Sequence, residues 1–242
     1  MQYAGGKTRL AKRLADYIVA DLLADRTRHY VEPFCGAMSV AAEVASRLRG
    51  SGRIFMLYDN NPHVVAMWQA ALDGWEPPAN VDAGMYAAAR REELSSPEIG
   101  FILGGCSFGG KWGGGFARSA KRSIPAESRA LVLRRVAALR GVIAEVRCKD
   151  FADIPRVALL GAVVYADPPY AGTMQPYFSK TFDSPAFWAW AQATPADSVL
   201  VSEFSAPAEV CEVCAWESAA TLAAGVNGSG KARRVEKLFR VR

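Results

Sequence analysis

The stretch Val163-Val164-Tyr165-Ala166-Asp167-Pro168-Pro169-Tyr170 decides the fold that this sequence predicts. Its apolar first half favours a buried strand. The two prolines lack the N–H groups that a sheet needs, so the strand must end beside Asp167. In an open α/β sheet, ligands bind at the carboxyl ends of the strands. The stretch therefore predicts a carboxylate, proline-flanked carbonyls and an aromatic ring at the mouth of a cleft.

Strand-like and helix-like segments alternate on both sides of this stretch, which predicts an α/β fold with a mostly parallel sheet. We expect strands at residues 28–34, 53–58, 146–149, 162–166, 198–202 and 235–241, and helices at 8–24, 38–49, 62–72 and 126–143. From residue 74 to about 125 the pattern becomes irregular, and glycine is dense between residues 104 and 115. This middle segment is the one place where an insertion is predicted.

The composition indicates one well-cored domain with a small insertion, since 51% of the 242 residues are hydrophobic. No apolar run reaches the roughly 18 residues that a membrane span needs. The first seven residues lack the apolar core of a secretory signal, so a cytoplasmic protein with no membrane partner is expected.

The net charge of +5 suits a polyanionic partner without requiring one. Basic residues cluster in three separate stretches, at residues 7–13, 111–122 and 231–237. The clusters line one cleft after folding, or they are three solvated faces, and charge alone leaves both interpretations open.

Cysteine and histidine usage argues against several kinds of site. Five cysteines and two histidines offer neither a disulfide framework nor a complete zinc site, so no metal is expected. Cys211 and Cys214 are interpreted as buried apolar thiols in a strand. A methyltransferase acting on cytosine carbon-5 needs a nucleophilic cysteine, typically after proline, and the sequence holds no Pro-Cys pair.

The residues of the decisive stretch suit one chemical task. An aromatic amine is a poor nucleophile because its lone pair is delocalised into the ring. A carboxylate and a backbone carbonyl that accept its two N–H groups can direct that lone pair at an electrophile, while an aromatic ring fixes the plane of the base. The alternative is an ordinary proline-rich turn after a strand.

Three segments resemble Dam-type DNA adenine N6-methyltransferases in the order that this family shows. They are the D-P-P-Y sequence at 167–170, Tyr3-Ala4-Gly5-Gly6-Lys7 before a helix, and Val31-Glu32-Pro33-Phe34-Cys35-Gly36-Ala37-Met38-Ser39. The resemblance implies a Rossmann-like class I methyltransferase with a mostly parallel seven-stranded sheet and S-adenosyl-L-methionine as cofactor. Met38 stands where the family's cofactor loop commonly has a second glycine, which leaves the path of the loop in doubt.

The resemblance also assigns roles to individual residues. Asp167, Pro168, Pro169 and Tyr170 are implied as catalytic. Asp59 is implied to hold the ribose hydroxyls, and Asp150 and Phe151 to grip the adenine ring of the cofactor. The full set of implied cofactor-binding residues is Tyr3, Gly6, Lys7, Glu32, Phe34, Cys35, Gly36, Ala37, Asp59, Asn60, Asp150, Phe151 and Asp167. An acid after a strand is also commonly a helix cap, so each residue alone is a weak signal.

The family order divides the chain into a catalytic domain at residues 1–73 and 126–242 and a target-recognition insert at 74–125. Residues 106–112 and Arg118 look like a counterpart of the family's recognition hairpin. The implied DNA-binding residues are Lys111, Trp112, Arg118, Lys121 and Arg122, with Trp112 stacking on bases or wedging into the duplex. A glycine-rich loop with one tryptophan is also simply flexible in many proteins.

The predicted reaction is methylation of adenine N6 on a base flipped out of double-stranded DNA. N4-cytosine or RNA amine methylation uses the same carboxylate logic and remains open. Methylation of a glutamine amide is a further rival, although such enzymes usually have Asn in place of Asp167. A rival of another class is a non-catalytic DNA-binding protein with a methyltransferase-like fold. We expect a monomer or weak dimer, with a restriction endonuclease as partner or none.

Overall fold

Seven strands form one sheet in the order β3-β2-β1-β4-β5-β7-β6. The computed structural model describes residues 6–171, 182–218 and 234–241, so Tyr3 lies outside the described residues. The strands are β1 (Tyr30–Glu32), β2 (Ile54–Asp59), β3 (Ile143–Cys148), β4 (Val163–Ala166), β5 (Ser198–Glu203), β6 (Cys211–Ser218) and β7 (Arg234–Arg240).

Among the described strands, the neighbours β3, β2, β1, β4 and β5 pair in parallel, and β7 is the one strand that runs in the opposite direction. β7 pairs antiparallel with β5 on one side and with β6 on the other. The predicted α/β fold with a mostly parallel seven-stranded sheet is confirmed. β7 lies between β5 and β6, an arrangement typical of the class I methyltransferase fold.

Helices cover both faces of the sheet, which accounts for the nearly continuous apolar character of the inner strands. Neighbouring residues of β1 show this, because Tyr30 belongs to one buried cluster and Val31 to the other. The helices are α1 (Ala11–Ala24), α2 (Ser39–Arg47), α3 (Pro62–Leu72), α4 (Ala83–Arg90), α5 (Ser96–Gly105), α6 (Ile124–Leu139), α7 (Arg156–Leu159) and α8 (Ser184–Ala193). No helix within the described ranges combines the length and hydropathy needed to cross a membrane.

The segment predicted to be irregular contains two well-formed helices, so that prediction is wrong for its first half. The Asp82 side chain caps α4 by accepting from the Met85 amide at 2.8 Å. A capping box formed by Ser95 and Glu98 starts α5. α5 is buried all round from Ile99 to Gly105, so its sequence lacks the one-sided apolar period that reveals a surface helix.

Two smaller predictions also need correction. The helix expected to extend to residue 143 ends at Leu139, because Gly141 opens a turn and the β-branched pair Val142-Ile143 leads into β3. The thiols of Cys211 and Cys214 do lie in a strand, but Cys211 is exposed and Cys214 half-buried. The reason is that β6 forms the edge of the sheet, where one side of the strand faces solvent.

Gly100 allows α5 to approach α3 closely. A Cβ atom at this position would lie 2.1 Å from the backbone oxygen of His63 and 2.7 Å from its carbonyl carbon. Backbone atoms cannot give way as a side-chain end can, so any larger residue must push the two helices apart.

We expect Gly100→Ala to destabilise the protein by about 1–3 kcal/mol or more, through overpacking between α3 and α5. Urea unfolding followed by circular dichroism measures the change. Gly84→Ala in α4 is the matched control, since its added Cβ would meet only the Asp82 side chain at 3.2 Å. Equal stability of the two variants would contradict the predicted clash.

Candidate active site

Acidic residues stand at the carboxyl ends of four neighbouring strands. Glu32 ends β1, Asp59 ends β2, Asp167 follows β4 and Glu203 ends β5. Glu32, Asp59 and Glu203 are each less than 9% exposed. Because carboxyl ends of parallel strands meet at one edge of a sheet, the fold collects these acids around the position where α/β proteins bind ligands.

Lys7 joins the turn after β4 to the last strand. Its ammonium lies 2.7 Å from Asp167 Oδ1 and 3.2 Å from Glu236 Oε1. Tyr170 closes the group, because its hydroxyl donates to the same Glu236 oxygen at 2.9 Å and its ring centroid lies 4.7 Å from the Lys7 nitrogen. The ring of Phe204 meets Tyr170 edge to face at 4.6 Å. We call these four residues, Lys7, Asp167, Tyr170 and Glu236, the ion cluster.

Asp167 retains accepting capacity in spite of this pairing. Its Oδ1 is buried and lies 2.7 Å from the Lys7 ammonium, and a carboxylate oxygen can accept a second hydrogen bond. The pKa of Asp167 is raised to about 6, chiefly by burial and also by the Glu236 charge, while the Lys7 ammonium lowers it. Burial also lowers the pKa of Lys7, but attraction to Asp167 and Glu236 outweighs that effect and leaves it raised. Asp167 is therefore ionised at neutral pH and paired with a cation.

The loop after β1 takes a tight path that the sequence left open. Gly36 and Met38 both adopt left-handed backbone conformations, with φ of 40° and 54°. For Met38 this is unfavourable, and the surroundings compensate by burying its side chain completely. The position that commonly holds glycine in the family thus keeps the glycine-like conformation here while carrying a methionine.

Asp59 ties this loop to the end of β2. Its two oxygens accept the amide N–H groups of Gly36 at 2.8 Å and Asn61 at 2.9 Å. Burial raises the pKa of Asp59 to about 6, while these two hydrogen bonds lower it. Each carboxylate oxygen can accept a second hydrogen bond, so the residue still fits the hydroxyl-binding role that the resemblance implies. Asn60, its neighbour, is exposed.

One backbone hydrogen bond and two further side chains hold the same loop from outside. Cys35 N donates to the Tyr58 carbonyl at 2.8 Å, and the Trp68 indole donates to the Gly36 carbonyl at 2.8 Å. The buried Arg135 guanidinium donates to the Ala37 carbonyl at 2.8 Å and to the Ser39 and Thr8 hydroxyls. α2, α3 and α6 therefore all support the loop that is implied to bind the cofactor.

Glu32 is a buried acid next to this loop. Its Oε2 accepts from the Tyr30 hydroxyl at 2.7 Å. Burial raises the pKa of Glu32 to about 8, and the charges of Asp167 and Asp59 add to the increase, which places all three carboxylates in one electrostatic neighbourhood. Glu32 is therefore mostly protonated at neutral pH, and a cationic group bound nearby would favour its ionised form.

The two residues implied to hold the cofactor's adenine differ in environment. Phe151 packs against the half-buried Phe34, with ring centroids 5.7 Å apart, and against Phe187 at 5.6 Å. Asp150 is half-buried, and its Oδ1 accepts from the Ala152 amide at 3.1 Å, so it also caps a short 3-10 helix. An aromatic surface beside a carboxylate fits an amino-bearing purine ring.

The glycine-rich part of the insert folds back as a small hairpin that rests on α4 and α5. Ser107 and Phe116 form its antiparallel bridge. The Tyr86 hydroxyl is 2.6 Å from Ser107 Oγ and accepts from the Gly115 amide at 3.1 Å. Because Trp112 stacks on His63 in the first turn of α3, the hairpin lies beside the carboxyl end of β2.

The exposed aromatic residue of the hairpin is not the one that was expected to contact DNA. Trp112 is half-buried against His63, whereas Phe108 is 66% exposed. The four basic residues implied to bind DNA are all exposed, namely Lys111, Arg118, Lys121 and Arg122. Arg118 also lies 5.9 Å from the ring centroid of Phe116.

Sequence reasoning missed Glu236, Glu203 and Arg135 as members of the site. Glu203 accepts from the Ala171 amide at 2.6 Å and so holds the turn that carries Tyr170. The alternation of β7 offered a signal for Glu236, since this acid shares a strand face with the fully buried Leu238. No comparable signal marked Arg135, whose partners lie about 100 residues away in the chain.

We expect Glu32→Gln to change the pH dependence of stability. The folded protein retains the Glu32 proton up to a pKa of about 8, whereas the unfolded chain releases it near 4.5, so wild-type stability decreases as pH rises between these values. Glutamine has no such proton. The stability of the variant relative to wild type should therefore increase from pH 5 to pH 8, by at most about 1.4 kcal/mol per pH unit.

Urea unfolding at several pH values measures this difference, with Glu212→Gln on β6 as the control. A stability difference between Glu32→Gln and wild type that stays constant from pH 5 to pH 8 would show that Glu32 is ionised in the folded protein.

Several solved structures of other proteins are similar to this chain. Two structures of the rRNA methyltransferase aviRa from Streptomyces viridochromogenes are similar over 95% of this chain and 84% of theirs, at 16% identity and TM-scores of 0.42 and 0.40. The structure of SMU.472 in complex with SAH is similar over 93% of this chain and 52% of that chain, at 15% identity and a TM-score of 0.33. The search of curated protein sequences found no match.

A family model gives the more specific result. It describes the D12 class N6 adenine-specific DNA methyltransferases, and it matches residues 3–102, which include Lys7, the loop after β1 and Asp59. This match confirms the predicted cofactor, S-adenosylmethionine, which is the methyl donor of such enzymes. The resemblance drawn from the sequence motifs is confirmed in turn: residues 3–102 carry the signature of the D12 class N6 adenine-specific DNA methyltransferase family.

Proposed function

We propose that this protein transfers a methyl group from S-adenosylmethionine to N6 of an adenine that is flipped out of duplex DNA. The observation that carries the proposal is the ion cluster at the end of β4. It presents a buried, ionised Asp167, whose carboxylate is paired with Lys7 and can accept a further N–H group, next to the ring of Tyr170. The family match of residues 3–102 supports adenine as the target base.

The proposed chemistry needs no covalent link between protein and base. Asp167 and the Pro168 carbonyl accept the two N6 hydrogens, and the nitrogen lone pair then points away from the ring plane that Tyr170 fixes. S-adenosylmethionine supplies an electrophilic methyl group on a sulfonium centre. The new N–C bond forms as the C–S bond breaks, its electron pair stays on sulfur, and one N6 proton leaves through Asp167 to solvent.

The cofactor is proposed to lie along the carboxyl ends of β1, β2 and β3. Glu32 and Lys7 would meet the ammonium and carboxylate of its methionine end, and Asp59 would accept from the ribose hydroxyls. Phe151 and Asp150 would hold the adenine ring. The left-handed loop at residues 36–38 supports this placement because it brings backbone close to the bound molecule.

The hairpin of the insert is proposed to read DNA. α6 runs from this hairpin to the start of β3, so the hairpin lies at the end of the sheet where the parallel strands finish. Lys111 in the hairpin and the exposed basic residues that follow it, Arg118, Lys121 and Arg122, can meet phosphates. The exposed ring of Phe108 can pack against a base or sugar. The target base must leave the stack to reach Asp167.

Cytosine N4 methylation is the second candidate, because its exocyclic amine presents the same two N–H groups to Asp167 and the Pro168 carbonyl. The family match favours adenine. A restriction endonuclease as partner, or none, stays a prediction.

We expect Asp167→Ala to abolish methyl transfer, because the amine loses the acceptor that directs its lone pair. The measurement uses tritiated S-adenosylmethionine with duplex DNA, followed by nucleoside analysis of the product. A loss of about 100-fold or more is expected from removing one such positioned group. Asp73→Ala, at the exposed end of α3, is the control and should retain wild-type activity.

N4-methylcytosine in the product would replace the first candidate by the second. Label that enters only RNA or protein would refute the proposed substrate, and tight DNA binding without transfer under any condition would indicate a non-catalytic binding protein.

We expect alanine at Lys111, Arg118, Lys121 and Arg122 to weaken DNA binding and to flatten its salt dependence. Each lost phosphate contact should reduce the slope of log K against log salt by about 1. Fluorescence anisotropy with a labelled duplex measures the slope. Arg140→Ala is the control, since this exposed arginine ends α6 at the opposite edge of the sheet. An unchanged slope in the fourfold variant would remove the hairpin from the DNA interface.

A further inference from the structure

Glu236 is the member of the ion cluster that lies outside the sequence motifs, since Lys7 belongs to the motif at residues 3–7 and Asp167 and Tyr170 to the motif at 167–170. It lies on β7, 66 residues after Tyr170, and is 8% exposed. β7 enters the sheet antiparallel to β5, and Glu236 projects from the same strand face as the buried Leu238. A carboxylate in such a position is costly unless it is paired and hydrogen-bonded, so its partners explain why the fold tolerates it.

Both partners of Glu236 are residues of the reaction site. One oxygen, Oε1, accepts from the Tyr170 hydroxyl at 2.9 Å and lies 3.2 Å from the Lys7 ammonium. The contacts form a closed ring, since Lys7 reaches Asp167 and Asp167 is joined to Tyr170 through two prolines of fixed φ. Loss of Glu236 would therefore release two sides of the site at once.

We propose that Glu236 is a positioning residue for methyl transfer, which sets the orientation of Tyr170 and divides the Lys7 charge between two carboxylates. The inference rests on the proposed function, because Tyr170 and Asp167 are the groups that meet the base. Without the Glu236 charge, Lys7 would pair with Asp167 alone. The Asp167 carboxylate would then be a weaker acceptor for the amine, and the Tyr170 hydroxyl would lose its hydrogen bond to Glu236.

The charge around Asp167 gives this role a measurable signature. Asp167 lies among Lys7 from the N-terminal turn, Glu236 and Tyr170, with Glu32 of β1 and Glu203 of β5 as the nearby acids. The Glu236 charge raises the pKa of Asp167, so its removal must lower that pKa. A residue that only stabilised the fold would leave the pH profile of the reaction in place.

Glu236→Gln tests the proposal with a side chain of the same shape. We expect kcat to fall about tenfold or more, as for the loss of one charge-assisted interaction. The KM for DNA should stay within about threefold, since no binding contact is removed. The acidic limb of the kcat profile should move to lower pH. Glu212→Gln is the matched control, because Glu212 pairs with Lys237 at 2.8 Å outside the site.

Wild-type kcat and an unmoved acidic limb in Glu236→Gln would overturn the proposal. A second measurement does not depend on the substrate. In protein without DNA, the ¹⁹F signal of 3-fluorotyrosine at position 170 should shift in Glu236→Gln and broaden in Glu236→Ala, while Glu212→Gln leaves it unchanged. A signal that is the same in all variants would also overturn the positioning role. If the wild-type protein transfers no methyl group, the proposed function fails, and the ¹⁹F signal alone decides the role of Glu236.

Discussion

The site depends on the burial of one ammonium between two carboxylates that come from distant parts of the chain. Lys7 precedes α1, Asp167 follows β4 and Glu236 lies on β7. Burial raises the pKa of Asp167, and the Lys7 ammonium opposes that increase. The lysine compensates for part of that cost and at the same time fixes the N-terminal turn over the end of the sheet. The same contacts therefore stabilise the fold and assemble the reactive groups.

Further buried acids lie at the neighbouring strand ends along the same edge of the sheet. Glu32, Asp59 and Asp167 end three adjacent parallel strands, and burial raises the pKa of each. Burial of three acids at one edge weakens the folded state, because each charged form loses its hydration. Groups perturbed in this way concentrate where a protein binds a polar or charged ligand. A cofactor with a sulfonium centre, an ammonium group and ribose hydroxyls offers a partner to each of these acids.

The sequence predicted those parts of the fold that depend on local patterns. Apolar runs that end in prolines or acids located the inner strands, because a buried parallel strand needs a continuous apolar stretch and a defined end. The motifs also located Lys7, Asp59 and Asp167 correctly at strand ends and at the N-terminal turn. The helix α5 escaped notice because it is buried on every side and shows no amphipathic period.

Contacts between distant residues could not be predicted in the same way. The bond from Tyr170 to Glu236 spans 66 residues, and the clamp of Arg135 on the loop at Ala37 spans 98. Pairing of this kind follows from sheet order, and the antiparallel position of β7 between β5 and β6 is not encoded by any local stretch. Likewise, only the packing around Trp112 shows that its ring is engaged by His63, which leaves Phe108 as the exposed aromatic residue of the hairpin.

α3 connects the proposed cofactor site to the proposed DNA-reading hairpin. It starts directly after Asp59, and its cap Asn61 donates its amide to that acid while its side chain accepts from His63 N at 3.1 Å and Val64 N at 3.3 Å. The ring of His63 then stacks on Trp112 of the hairpin. α5 also packs closely on α3 at Gly100, and α3 contacts the hairpin through His63 and the loop after β1 through Trp68, so one helix supports both.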